Sequence, residues 1–157
     1  MIKQLTTKDL PIAAEVIRKS FATVAQDFGW TRENAPGHVS FITDEQLQEQ
    51  MINHKTFGFY AGEKIIGFVA LKDLGSGVFE LRKISILPEW RHYGYGKKLL
   101  DFCKTTVQEI GGSKIILDII EENVVLKDWY AVNGFVHTGT KKYDHLPFTI
   151  GYMECIL

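Results

Sequence analysis

The stretch Ile84-Ser85-Ile86-Leu87-Pro88-Glu89-Trp90-Arg91-His92-Tyr93-Gly94-Tyr95-Gly96-Lys97-Lys98-Leu99-Leu100 joins three pieces in one run. A β-rich apolar segment stops at a proline. An Arg-x-x-Gly-x-Gly loop follows, and the loop opens directly into an amphipathic helix. Glycines let backbone N–H groups approach an anion closely, and the first turn of a helix adds positive potential at the same place. A strand that delivers such a loop to a helix start is suited to phosphate.

On both sides of this run, strands and helices alternate without a linker or an internal repeat. Met1 to Leu5 reads as a short strand. Asp9 to about Ser20 reads as a helix, with Leu10, Ala13, Ala14, Ile17 and Phe21 on one face and Pro11 in its first turn. Residues 27–42 show no period and read as a long loop. Thr43 and Gln46 stand at capping-box spacing and start a helix that runs to about Asn53. Thr56–Ala61 and Lys64–Leu71 flank Gly62-Glu63, a two-residue hairpin turn. Val78–Leu87 follows the Gly75–Gly77 turn as a further antiparallel neighbour.

Beyond the glycine loop, Gly94 to Ile110 is a helix that turns Leu99, Leu100, Cys103, Val107 and Ile110 inward and ends at Gly111-Gly112. Lys114–Ile120 is nearly continuous aliphatic, the pattern of a strand covered on both faces. Asn123 to Ala131 is a short helix, and Phe135–Tyr143 and Thr149–Ile156 are the last strands. Strand 78–87, helix 94–110 and strand 114–120 form one right-handed βαβ unit inside a mixed sheet.

Composition narrows the function classes. A chain of 157 residues is about one domain. Its formal net charge of −1 argues against broad nucleic-acid binding. No apolar run is long enough to span a membrane, and no signal-peptide core opens the chain. Cys103 and Cys155 are its only cysteines, so a reducing cytoplasm is the expected location, and no Cys/His spacing points to a metal. Gly94-x-Gly96 with Asp118 downstream partly imitates a dinucleotide fingerprint. Leu99 stands at the third glycine position, and no second βαβ half exists to hold another nucleotide.

Together with the order of elements, the Arg91-x-x-Gly94-x-Gly96 loop and the Asn123-x6-Tyr130-x3-Gly134-Phe135 segment resemble the GNAT superfamily of acyl-CoA-dependent N-acyltransferases. The resemblance covers nearly the whole chain. It implies an α/β GNAT fold in one domain, residues 1–157: a mixed, mostly antiparallel sheet flanked by helices, with a central βαβ unit that binds acyl-CoA. It implies acetyl-CoA as co-substrate and direct transfer to a primary amine in a ternary complex. The backbone of Ile84, Ser85 and Ile86 would hold the pantetheine and acetyl carbonyl, and Arg91, His92, Tyr93, Gly94, Tyr95, Gly96 and Lys97 the diphosphate. His92 departs from the family, where glycine is frequent at that position.

Other roles carry competing readings. Tyr130 resembles the family's acid for the leaving thiolate; it also suits packing against Phe135. Asn123 resembles the pantetheine-contacting asparagine and is equally a good helix N-cap. Glu80 is the expected base, or a salt-bridged strand residue. Strand alternation puts Glu80, Arg82 and Ile84 on one face unless a bulge intervenes. Asp27, Trp30, Glu33, His38 and Tyr143 sit where the family builds its acceptor wall, and acids and aromatics suit an amine. Trp30 also reads as core and His38 as a structural histidine. The acceptor is a small-molecule or peptide amine, with no nucleic acid or membrane partner and a homodimer left open. The alternative from another class is a noncatalytic acyl-CoA sensor that kept the cofactor site and lost the acceptor site.

Overall fold

Why the chain folds into one mixed sheet is clearest at its most buried strand. In the computed structural model, which describes residues 1–157, every residue from Ile65 to Leu71 is buried. Both faces of that strand are therefore covered, which requires helices on each side of the sheet. In chain order the elements are β1 (Ile2–Gln4), α1 (Leu10–Phe28), α2 (Asp44–Asn53), β2 (Lys55–Ala61), β3 (Lys64–Asp73), β4 (Val78–Ile86), α3 (Tyr95–Glu109), β5 (Lys114–Ile120), α4 (Val124–Val132), β6 (Val136–Lys142) and β7 (Thr149–Ile156). The strands lie in the order β1-β2-β3-β4-β5-β7-β6. Only β4 and β5 run parallel; every other neighbouring pair is antiparallel.

The helices pack by their apolar stripes. Ala13, Ala14 and Ile17 of α1 are fully buried, as are Leu99, Leu100, Cys103 and Val107 of α3. Burial pushes the Cys103 thiol up to about 12, so it behaves as a small apolar side chain. Thr43 and Gln46 make the expected capping box at the start of α2: Gln46 N–H donates to Thr43 Oγ1, and Thr43 N–H donates to Gln46 Oε1.

Three expectations need correction. The first helix does not stop near Ser20; it continues to Phe28, carried by the inward Ala25, and ends only at Gly29, whose φ of 69° supplies a left-handed cap. The supposed loop 27–42 therefore begins later, and it holds a short 3-10 turn at Val39–Phe41. Ile110 is not on the inner face of α3: it lies past the helix end and is 46% exposed. Finally, β5 is not covered on both faces. Ile115, Leu117 and Ile119 are buried, while Asp118 is exposed and Ile116 and Ile120 are half-buried.

That one-sided strand matters because of where the sheet opens. β4 and β5 pair only through Val78–Glu80 and Lys114–Ile116. Beyond Glu80, β4 stays with β3 as far as Ile86, while β5 stays with β7 as far as Ile120. The β3–β4 register slips between Phe68 and Ala70, so Lys83 and Ile84 together oppose Val69. Lys83 takes a φ of 53° there, the left-handed conformation of a bulge residue. The bulge turns β4 away from β5 and leaves the facing edges without ladder partners. Gly67 keeps the other side tight: a side chain on it would meet Ile86 Cδ1 at 2.6 Å and the Ser85 carbonyl at 2.9 Å.

Candidate active site

The wedge between β4 and β5 has a cavity on each face of the sheet. The first, about 330 Å³, is lined by Ile84, Ser85, Ile86, Arg91, His92, Gly94, Gly96 and Lys97, with Leu126 and Trp129 of α4. Its end is built from backbone. Gly94 takes a φ of 81° as the N-cap of α3, and His92 a φ of 67°. These left-handed residues turn the chain so that no N–H from His92 to Lys97 meets a protein acceptor; the pattern resumes when Lys98 N–H donates to Gly94 O. Successive free N–H groups at a helix start form an anion nest. Nothing lies within 4 Å of where a Gly94 side chain would begin. The hydroxyl of Ser85 is buried and has no protein partner.

The residues anticipated for this cavity contribute unequally. Arg91 turns its guanidinium inward, donating to Ile86 O at 3.1 Å, Thr23 Oγ1 at 3.0 Å and Ser20 O at 2.7 Å. It ties the loop to α1 and β4. Lys97 pairs with Asp101 at 2.5 Å on an exposed helix face. Tyr95 packs against Phe59, and Tyr93 is 68% exposed beside it, so these two bring N–H groups rather than side chains to the nest.

The second cavity, about 340 Å³, opens on the α1 face and shares Leu126 with the first. Glu80, Asp118, His38 and Asn123 line it, among apolar walls from Phe21, Val24 and Phe148. Glu80 lies 3.6 Å from Arg82 Nε, and its side chain is 22% exposed. Asp118 follows from the register: Glu80 opposes Ile116, and Asp118 is two residues on, on the same face. Partial desolvation at the wedge, and then the neighbouring Glu80, raise the Asp118 carboxyl from its ordinary value. Asn123 caps α4, accepting from Leu126 N–H at 3.2 Å. His38 is 7% exposed; its Nδ1 lies 2.7 Å from Ser40 Oγ and accepts from Ser40 N–H, its buried Nε2 has no protein partner, and burial lowers its pKa.

Other anticipated residues stand apart. Trp30 is buried against Phe28, His38 and Phe148, sealing the loop that carries His38. Asp27 and Glu33 are exposed and line neither cavity. Tyr143 packs against Lys141 and His145, also outside both. Tyr130 is 4% exposed, between Trp129 and Phe135, and lines neither cavity. Burial, with the adjacent Cys103, raises its phenol far above the ordinary range, so it stays protonated. Asp118, Arg82 and Lys83, which also line the second cavity, were not anticipated. The signal available for Asp118 was its place two residues beyond the strand pairing with Glu80.

With this geometry, the comparisons are direct. Residues 23–135 match the Acetyltransferase (GNAT) family. A spermidine N(1)-acetyltransferase of Thermoplasma acidophilum is 25% identical over 158 residues, spanning 92% of this chain and 93% of its own. The fold superposes on the PaiA N-acetyltransferase of Thermoplasma acidophilum, crystallised with coenzyme A, with a TM-score of 0.86 at 23% identity, covering 100% of this chain and 98% of that one. It also superposes on the ribosomal-protein-S18-alanine N-acetyltransferase of Escherichia coli, with a TM-score of 0.80 at 16% identity over 99% and 92% of the two chains. The chain belongs to the GNAT family of acetyltransferases. It is an acetyltransferase with acetyl-CoA as its co-substrate.

Lys83 gives the site a measurable signature. Its ammonium donates to Gln50 Oε1 at 2.6 Å, and burial, followed by the charge of Arg82, lowers its pKa from 10.5 to about 8. Between those values the unfolded chain holds a proton that the folded chain has released, so this group makes stability rise with pH across that window. Lys83→Met should flatten the rise. Denaturant unfolding from pH 7 to pH 10 should show the variant gaining most on the wild type below pH 8 and losing that advantage above it.

Proposed function

We propose that the protein transfers an acetyl group from acetyl-CoA to a primary amine by direct attack, with both substrates bound at the β4–β5 wedge. The observation that supports this best is the pair of cavities meeting at Leu126: one ends in the free N–H groups of residues 92–97, the other holds Glu80 and Asp118. The N–H nest would take the diphosphate, and the unladdered edge of Ile84–Ile86 would take the pantetheine. Acetyl-CoA supplies an already activated acyl donor; the chain's own residues have to manage the amine and its protons.

An alkyl amine is mostly protonated at neutral pH. Glu80 and Asp118 draw that cation into the wedge, and Glu80 accepts its proton, directly or through water. Placement against the carbonyl supplies the entropic part of the rate. Tyr130 keeps its proton through neutral pH, so its hydroxyl would donate a hydrogen bond to the developing thiolate, which takes its final proton from solvent.

Two variants test this reading. Acetyl-CoA should raise the melting temperature, since it binds only the folded state. Gly96→Asp puts a carboxylate in the first turn of α3, where it favours the helix but repels phosphate. The variant should therefore melt no lower than the wild type when unliganded and lose the acetyl-CoA shift; an unchanged shift would remove the nest from the cofactor site. Tyr130→Phe keeps the ring between Trp129 and Phe135 and removes the hydroxyl. Turnover should fall by roughly 10²-fold, the scale of losing one general acid, with acetyl-CoA affinity within a few-fold. Near-normal turnover would make Tyr130 a packing residue only.

A further inference from the structure

The acceptor cavity does not end at Glu80. It runs on, past His38, Arg82 and Lys83, into a third cavity of about 650 Å³ between α2 and β3–β4. The wall of this space is cationic: Lys72, Arg82 and Lys83 all line it, against the single carboxylate Glu49. His54, at the end of α2, joins them, and its buried Nδ1 has no protein partner. Gln50 holds the Lys83 ammonium at this wall.

Register gives the arrangement a direction. Lys72 on β3 stands opposite Glu80 on β4, and Arg82 is two residues along from Glu80. Asp118 lies one strand further, on β5. These four side chains share one face of the sheet. Across that face, charge runs from Asp118 and Glu80 at the wedge, through Arg82 beside Glu80, to Lys72 on β3, with Lys83 of β4 held at the same cavity wall by Gln50 of α2. Neighbouring strands are about 4.8 Å apart, so the two poles are separated by roughly one to two strand spacings. A polyamine would bring a second positive charge against Lys72 and Lys83. A molecule with an amine at one end and an anion at the other meets an opposite charge at each end.

We propose that the cavity between α2 and β3–β4 is an anion subsite that binds the carboxylate of the acceptor, so that the substrate is an amino acid or a short peptide-like amino carboxylate. The inference rests on the adjoining cavity being the acceptor site. His38 lines both cavities and so marks where they join.

The test uses matched probes that differ only at the far end: ω-amino acids of lengths spanning that separation, their carboxamides, and the corresponding diamines. Thiol release from acetyl-CoA is measured for each, and melting shifts are measured for each with CoA present. At the best length the amino acid should exceed its amide in kcat/KM by roughly ten-fold or more, the scale of one hydrogen bond to a charged group, and should exceed the diamine as well. Lys72→Gln should bring amino acid and amide within a few-fold of each other, with turnover of the amide and the acetyl-CoA shift unchanged. Lys83→Asn, which keeps a residue tolerant of the left-handed bulge, should also narrow the preference for amino acid over amide. Amides or diamines equal to or better than amino acids at every length would overturn the subsite. If acetyl-CoA binds and no probe is acetylated, the melting shifts still decide: a carboxylate-dependent shift lost in Lys72→Gln supports the subsite while removing the transfer reading, and no such shift at millimolar probe overturns the subsite.

Discussion

The left-handed bulge at Lys83 is the constraint on which the rest of the site depends. A parallel pair of strands left to itself would continue its ladder and close the sheet. Here the pairing of β4 with β5 ends after three residue pairs, because an extra residue on β4 is absorbed against Val69 of β3. The bend leaves two unladdered edges facing each other. An unpaired backbone edge in a buried setting is costly unless something bonds to it. A pantetheine chain, with its own amides, is the kind of molecule that can. The bulge also carries Lys83 to the wall shared by the second and third cavities, so one backbone irregularity shapes the wedge and the cavity wall together.

The sheet itself is held on both sides of that opening. β3 is buried along its length, and Gly67 lets β4 approach closely at Ser85 and Ile86. Arg91 locks the loop by binding Ile86 O, Ser20 O and Thr23 Oγ1, which joins β4, the loop and α1 at one guanidinium. The glycine loop is thus fixed by a guanidinium turned toward α1. Its free N–H groups need no reorganisation to meet an anion, which is how a preformed site avoids paying an ordering cost on binding.

Most of the fold was legible in the residues, because the strongest signals were local. The capping box at Thr43, the hairpin at Gly62-Glu63 and the glycines that start and end α3 each specify a backbone geometry over a few positions. The length of α1 was not legible, since nothing between Ser20 and Phe28 marks an end or a continuation and only Gly29 ends it. The aliphatic run of β5 misled for a different reason: its side chains alternate between a packed core and an open wedge, and composition cannot distinguish the two. The glycine loop was readable as an anion nest. The inward turn of Arg91 was not, because its partners on α1 lie about seventy residues away in the chain. The acceptor side was read from the family's loop positions and from residue type, and neither carries the geometry that leaves Asp27, Glu33 and Tyr143 outside both cavities. The cations that share the face with Glu80 depend on strand register, which no local pattern states.

The central physical claim is that the unpartnered amides of residues 92–97 receive the cofactor. Amide hydrogen exchange with and without CoA reads those groups individually. In the free protein they should exchange quickly, like any N–H open to solvent, and saturating CoA should slow exchange from His92 to Lys97 while leaving β6 and β7 unchanged. Saturating CoA that leaves the exchange of these amides unaltered, with protection appearing elsewhere in the chain, would contradict the claim.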